Sequence, residues 1–459
     1  MNIAIKGTLI LTLAAGLSSC HIYQKYETPT NTPLTKSYAE ALAEEVDTTA
    51  FGNLPWQEVF TDPMLVDLIN RALENNTNLR NAQLNVEAAK AQVLGARLSY
   101  LPSVALAPNA ANSKVAGITS GWSYQLPAQV SWEVDIFGKI LNSKRSAEVA
   151  LMQTEAYQQA VRSQIISGVA STYYALSAVN KQLKLSRETS ILWKETVQTM
   201  RDLKDAGRTT EAAVMQSEAN YYNILGSITD LESALVQLNN TMSLLLNTMP
   251  QEWSVNDYAD MSIPDMARHG VAMSTLAARP DVAAAEMALA KAYYATNSAR
   301  AAFYPGLTIT ANGGFTNLIG SVIQNPGDWF AQIAGSLVAP LFSRGYNIAN
   351  LKAAKAQQES ALNSFEYTLL NAASEVSNAL TVYEKSLEKA QHLDAQVKDL
   401  AKAVSMTQDL FTYSTGSVDY LQVITAQQSL LGAQISLIST QQDRNLAVIN
   451  LYQALGGGR

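Results

Sequence analysis

The chain has 459 residues, a formal net charge of −7, only 15% charged and 8% aromatic residues, three histidines and one cysteine. That balance leaves no basic footprint for nucleic acid, and so few histidines and cysteines cannot build a rich metal site, so neither metal nor cofactor is expected. Alanine, glutamine, asparagine, serine and leucine are abundant, a composition that favours long helices with much polar surface rather than two or three compact domains.

The N-terminus reads as a targeting segment, residues 1–19. Lys6 supplies a positive start, and Leu9 to Leu17 form an apolar core too short to span a bilayer. The core ends in Leu17-Ser18-Ser19-Cys20, which resembles the lipobox of a bacterial lipoprotein, and Cys20 is the only cysteine. Cleavage before Cys20 and acylation of its thiol and new amine are expected. Three acyl chains hold well, at about 0.8 kcal/mol per buried CH₂. No later stretch is apolar enough for a transmembrane helix, so any crossing must use strands of a closed barrel.

Further along, alternation predicts strands at about 101–112 and 121–136. Gln129, Ser131, Glu133 and Asp135 alternate there with Val130, Trp132, Val134 and Ile136. Period two gives one polar and one apolar face, with the acids inward and Trp, Val and Ile outward. A long helix follows from Lys139, interrupted only by Gly168 before Gly207. It carries the stripe Val161, Ile165, Val169, Thr172, Leu176, Val179 and Leu183. Two further strands are expected at about 306–316 and 329–342. From Tyr346 to Thr415 the chain has neither Gly nor Pro, which permits a helix of about 105 Å. Phe365, Leu369, Ala372, Val376, Leu380, Tyr383, Leu387, Ala390, Leu393, Val397, Leu400 and Val404 recur there at steps of three or four, the period of a coiled-coil seam.

The chain also repeats itself. Ala96-Arg97 to Leu101-Pro102 is echoed by Ala299-Arg300 to Tyr304-Pro305. Asp135 to Lys139 is echoed by Pro340 to Arg344, and Gly207 by Gly416. The expected layout is an N-terminal lipidated and equatorial segment (20–61), a first repeat (62–248), an equatorial linker (249–275) and a second repeat (276–459). Each repeat reads helix, two strands, long helix, tight turn at 207 or 416, helix. Four strands cannot close a barrel, and an open edge cannot face lipid, so several copies must combine. Three copies give twelve strands.

Particular motifs carry a family resemblance. Trp56, Phe60, Asp62-Pro63, Leu65, Leu68-Ile69, Ala72-Leu73, Asn76 and Leu79 match the pattern W-x3-F-x-D-P-x-L-x2-L-I-x2-A-L-x2-N-x2-L. Tyr413-x-x-Gly416, followed by Leu421-Gln422-Val423-Ile424-Thr425-Ala426-Gln427, is similar to Y-x-x-G-x5-L-x-V-L-D-A-Q. With the lipobox-like segment and the repeat, the chain resembles outer-membrane efflux proteins of the TolC type, in the NodT-like lipoprotein branch that serves resistance-nodulation-division pumps. The resemblance implies a mainly α homotrimer. A shared 12-stranded transmembrane β-barrel would continue into a long periplasmic α-helical barrel, lipid-anchored at the outer membrane. It implies as partners a periplasmic adaptor, an inner-membrane efflux transporter and outer-membrane lipid.

The same resemblance places a periplasmic gate at Tyr413, Leu421, Gln422 and Thr425, and adaptor-contacting tips at Gly207, Thr209, Gly416 and Ser417. The family's acid in V-L-D-A-Q is replaced by Thr425, and Ala213 stands before Val214 where the first repeat commonly has Asp. An acidic pore ring is therefore not expected, although Asp409 and Asp419 lie nearby. The function expected is a passive exit duct of a tripartite pump for drugs, toxic compounds or metal ions, with type I protein secretion as the alternative. No nucleophile–base motif, phosphate loop or metal cluster suggests an enzyme, and His21, His269 and His392 are scattered.

Overall fold

In the computed structural model the residues described are 21–43, 51–112, 114–115, 118–119, 121–256, 261, 273–319, 322–342, 344–413 and 420–458. The targeting segment, Cys20, His269, Gly416, Ser417 and Asp419 lie outside them. The chain divides into two compact units. One comprises the described residues up to Thr35, with Leu84–Ala156 and Ala283–Tyr367. The other comprises Lys36–Gln83, Tyr157–Val282 and Thr368–Arg459.

The elements run α1 (Pro33–Ala41), α2 (Trp56–Val59), α3 (Pro63–Asn75), α4 (Thr77–Leu98), β1 (Ser103–Leu106), β2 (Asn109–Ala111), β3 (Lys114–Val115), β4 (Ile118–Thr119), β5 (Ser123–Val134), α5 (Lys139–Asp205) and α6 (Glu211–Leu245). They continue with α7 (Met273–Ala277), α8 (Pro280–Ala301), β6 (Gly306–Ile319), β7 (Val322–Val338), α9 (Tyr346–Tyr413) and α10 (Tyr420–Ala454). The duplication is visible in element length. Helices α4 and α8 have 22 residues each, α5 and α9 have 67 and 68, and α6 and α10 have 35 each. At 1.5 Å per residue the long pair measure about 100 Å. No helix among the described residues is apolar enough to cross a membrane.

In the second unit the motif around Trp56 is a folding device. Trp56, Phe60, Leu65, Leu68, Ile69, Ala72, Leu79 and Ala82 are all buried. Asp62 caps α3, accepting from the Met64 amide at 2.9 Å, and Pro63 at the first helical position has no amide to satisfy. Asn76 ends α3 and starts α4. Its Oδ1 accepts from Asn78 N, while its Nδ2 donates 2.8 Å to the Leu245 carbonyl at the end of α6. Asp62 also accepts from the Tyr173 hydroxyl at 2.8 Å and from Asn256 Nδ2 at 2.9 Å. Burial alone would raise its pKa, but these hydrogen bonds and those from the Met64 and Leu65 amides outweigh it and hold the carboxyl below its usual range. Elsewhere in the same unit Arg279, 5% exposed, is paired with Asp281 at 2.7 Å and Glu375 at 2.6 Å and caps the Ala454 carbonyl.

The seam of α9 is buried from Phe365 through Tyr383, except that Ala379 takes the inward place and Leu380 is half-buried. Beyond Ser386 the stripe from Leu387 to Val404 is only half-buried within one chain.

In the first unit, Asp135 lies past the end of β5 and not on its inner face. Its carboxylate accepts from the Ile140 and Leu141 amides at 3.1 and 2.7 Å, so it starts α5 instead of lining a strand. Gly138, at φ +69, makes the intervening turn possible. The buried Asn142 Nδ2 donates to the Ile22 and Gly138 carbonyls, and Arg145 donates to Tyr23 O, pinning the N-terminal segment to this corner.

Candidate functional site

The sheet order is β1-β5-β6-β7, with β2 continuing beside β5 as the second half of an interrupted first strand. Pairing is antiparallel throughout, and its register sorts the residues onto two faces. One face carries rows of apolar residues. They are Leu126–Phe315–Trp329, Ala128–Gly313–Ala331, Val130–Ala311–Ile333 beside Val104, Trp132–Ile309–Gly335 and Val134–Leu307–Leu337. Phe315, Trp329, Ile333 and Leu337 are 55–80% exposed in the single chain. The other face carries Gln125–Thr316–Asp328, Pro127–Gly314–Phe330, Gln129–Asn312–Gln332, Ser131–Thr310–Ala334 and Glu133–Thr308–Ser336, polar in all but one row. An apolar face with aromatics at one rim, backed by a polar face, suits a sheet with lipid on one side and water on the other.

Several strand boundaries differ from those expected. The first strand is broken after Leu106, where Ala107-Pro108 interrupts pairing. β6 runs to Ile319. β7 starts at Val322, not 329, and stops at Val338, not 342, because Pro340 lacks the amide a further pair needs. The extra length depends on a register shift between Thr316 and Leu318. There Asn317, 1% exposed, accepts from Tyr124 N at 2.6 Å and donates to Trp122 O at 2.8 Å. Gly327 comes so close that a Cβ would sit 2.5 Å from Thr316 O. The β3–β4 hairpin was not expected at all.

At the far end of the long helices, α5 turns into α6. The Gly207 amide donates to Lys204 O at 2.9 Å and the Arg208 amide to Leu203 O at 2.8 Å, a Schellman pair around Gly207 at φ +66. Thr210 caps α6, and Lys204 bridges the turn to Glu211 at 2.7 Å. Thr209 is half-buried. Inward of this tip, Trp193, Met200, Val214, Ile224, Val423 and Ile424 form one buried cluster, joining α5 and α6 to the start of α10. Gln422 and Thr425 flank that buried pair and are exposed. Gly416 and Ser417 fall in the gap between α9 and α10, outside the described residues, and the side chains of Tyr413 and Leu421 are likewise not described.

An antiparallel amphipathic sheet together with three pairs of helices of matching length is an architecture with known relatives. The model for the outer membrane efflux protein family matches residues 68–248 and 271–457. The chain belongs to that family. SilC of Salmonella typhimurium, named a probable outer membrane lipoprotein, is 28% identical over 421 residues, covering 88% of each chain. The toluene efflux pump outer membrane protein TtgC of Pseudomonas putida is 28% identical over 470 residues, covering 96% of this chain and 93% of its own. A crystal structure of CusC superposes with a TM-score of 0.81 at 25% identity, over 95% of this chain and 99% of that one. Outer membrane efflux proteins are transport channels. They are homotrimers whose shared β-barrel, four strands per chain, continues into a periplasmic helical barrel, and they work with a periplasmic adaptor and an inner-membrane transporter. This efflux protein is accordingly an outer-membrane component of an efflux pump.

Two features of this efflux protein left no readable signal. The Asn317 bulge depends on a backbone shift that alternation does not encode. The Asp62–Tyr173–Asn256 cluster joins residues far apart in the chain. Asp62 itself was visible as part of a motif, but its partners were not.

Proposed function

We propose that the chain is the lipid-anchored, passive exit duct of a tripartite pump and that it catalyses no reaction. Cys20 is the acylated residue of this reading. Gly207, Thr209, Gly416 and Ser417 meet the adaptor, and Tyr413, Leu421, Gln422 and Thr425 surround the periplasmic constriction. The observation that carries it is the two-faced sheet with both edge strands unpaired in one chain, because only assembly with other copies satisfies those edges in lipid. The uncharged Gln422 and Thr425, exposed beside the buried Val423 and Ile424, support a constriction held by hydrogen bonds and packing rather than by an acidic ring.

Relatives named for cation efflux and for toluene efflux share the same architecture, so cargo choice rests with the partners rather than with this duct. A strain lacking the chain should accumulate a metal ion or an organic toxicant and regain efflux when the chain is restored. Unchanged susceptibility together with loss of one secreted polypeptide would favour protein secretion instead. Mass spectrometry of the mature N-terminus should find Cys20 acylated, and an unmodified thiol there would remove the anchor from this reading.

A further inference from the structure

The helices near the tips border a cavity of about 460 Å³, open on one side. Its walls come from α5 between Leu185 and Thr199, from the end of α9 and from the start of α10, all within the second unit. Two buried polar atoms in its lining are unanswered. The indole Nε1–H of Trp193, a residue 1% exposed, has no hydrogen-bond partner, and neither has Oε1 of Gln427. A buried donor and a buried acceptor left unpaired are costly, and such groups in a cavity wall are suited to a ligand that answers both. Around them Phe411 and leucine side chains supply apolar surface. Glu188 and Glu195 stand exposed on the α5 side, and no lysine, arginine or histidine is among the lining residues. The volume lies within the range of small-molecule sites.

We propose that this cavity binds a small amphiphilic organic cation. An aromatic body packs against Trp193 and Phe411, and an ether or hydroxyl oxygen of the ligand accepts from Trp193 Nε1. A ligand N–H or O–H donates to Gln427 Oε1, and the ammonium group faces Glu188 and Glu195. Because the walls belong to α5 on one side and to α9 and α10 on the other, a ligand held between them favours the recorded arrangement of the two repeats. It opposes any movement that separates them. Its test reads binding and needs no transport.

The probe is propranolol, an aryloxy amino alcohol with all four groups, titrated calorimetrically into detergent-solubilised full-length protein with the micelle blank subtracted. Saturable binding at one site per chain is expected. The double variant Glu188→Gln/Glu195→Gln should weaken it about tenfold, and Trp193→Phe, which keeps an aromatic ring but removes the pyrrole half with its N–H donor, by a similar factor. Absence of saturable heat above the blank would overturn the proposal. So would binding of unchanged affinity in the glutamate variant, whose substitutions are exposed and do not threaten folding.

Discussion

Asp62 is the residue whose chemistry is easiest to isolate. Its carboxylate caps α3 and accepts from Tyr173 and Asn256, so its folded pKa lies below its unfolded value. A lowered folded pKa contributes stability that is present above the unfolded pKa, about 3.9, and is lost as pH falls through the folded one. Asp62→Ala should therefore cost about 1 kcal/mol from the cap alone at pH 7. The gap between wild type and variant should narrow below about pH 4, read by urea unfolding across pH 3 to 7. A gap that widens in acid would reverse the sign. At the proposed constriction, Thr425→Asp introduces the carboxylate of the V-L-D-A-Q pattern that this segment resembles. Single-trimer conductance in planar bilayers should show little divalent block and weak pH dependence between about 4 and 7 for the unmodified channel. Divalent block from the periplasmic side should appear in the variant. Strong block of the unmodified channel would assign the constriction to another acid, Asp409 or Asp419 first. Residue-scale legibility was uneven for a physical reason. Motif positions such as Trp56 and Phe60 are apolar and local, so burial follows from pattern. Trp193 and Gln427 line one cavity only because α5 meets the consecutive helices α9 and α10, far along the chain.

At the scale of elements, the long helices were legible because nothing in them breaks a helix and their apolar steps keep one seam. α5 ends two residues before the turn expected at 207, and α9 three before the one expected at 416. Strand ends were less so. β7 begins ahead of the expected position 329, where Gly327 approaches Thr316 closely, and Asp135 continued an alternation that the backbone leaves after Val134. The faces of the sheet are nonetheless fixed by register, and that supports a paired test. Ile333 lies in the middle apolar row and is 80% exposed, whereas Gln332, its neighbour, belongs to the polar face. Ile333→Lys should impair membrane assembly, at about 2–4 kcal/mol for a cation near the bilayer midplane, while Gln332→Lys should assemble normally. Heat-sensitive trimer bands on electrophoresis of outer-membrane fractions read the difference. Equal tolerance of both lysines would mean that the apolar rows do not face lipid.

For the whole molecule, the decisive feature is what one chain leaves unfinished. β1 with β2 forms one edge of the sheet and β7 the other, each with a row of unpaired backbone groups, and the distal half of the α9 seam is only half-buried. The shared barrel of the trimer typical of outer membrane efflux proteins gives both sheet edges a neighbour. The duplication was legible because it recurs at nearly constant spacing, and the need for several copies followed from the cost of an open edge in lipid. The most direct test joins the edges covalently. In a chain with Cys20 as the sole native cysteine, one cysteine is introduced at Val104 or Ala105 and a second is scanned from Ala331 to Leu337. Neighbouring strands bring facing Cβ atoms within disulfide reach. Mild oxidation in native outer membranes should yield cross-linked dimers and trimers at a subset of scan positions and no larger species. Monomers at every position, or a ladder that runs past three, would contradict a barrel closed by three copies of this chain.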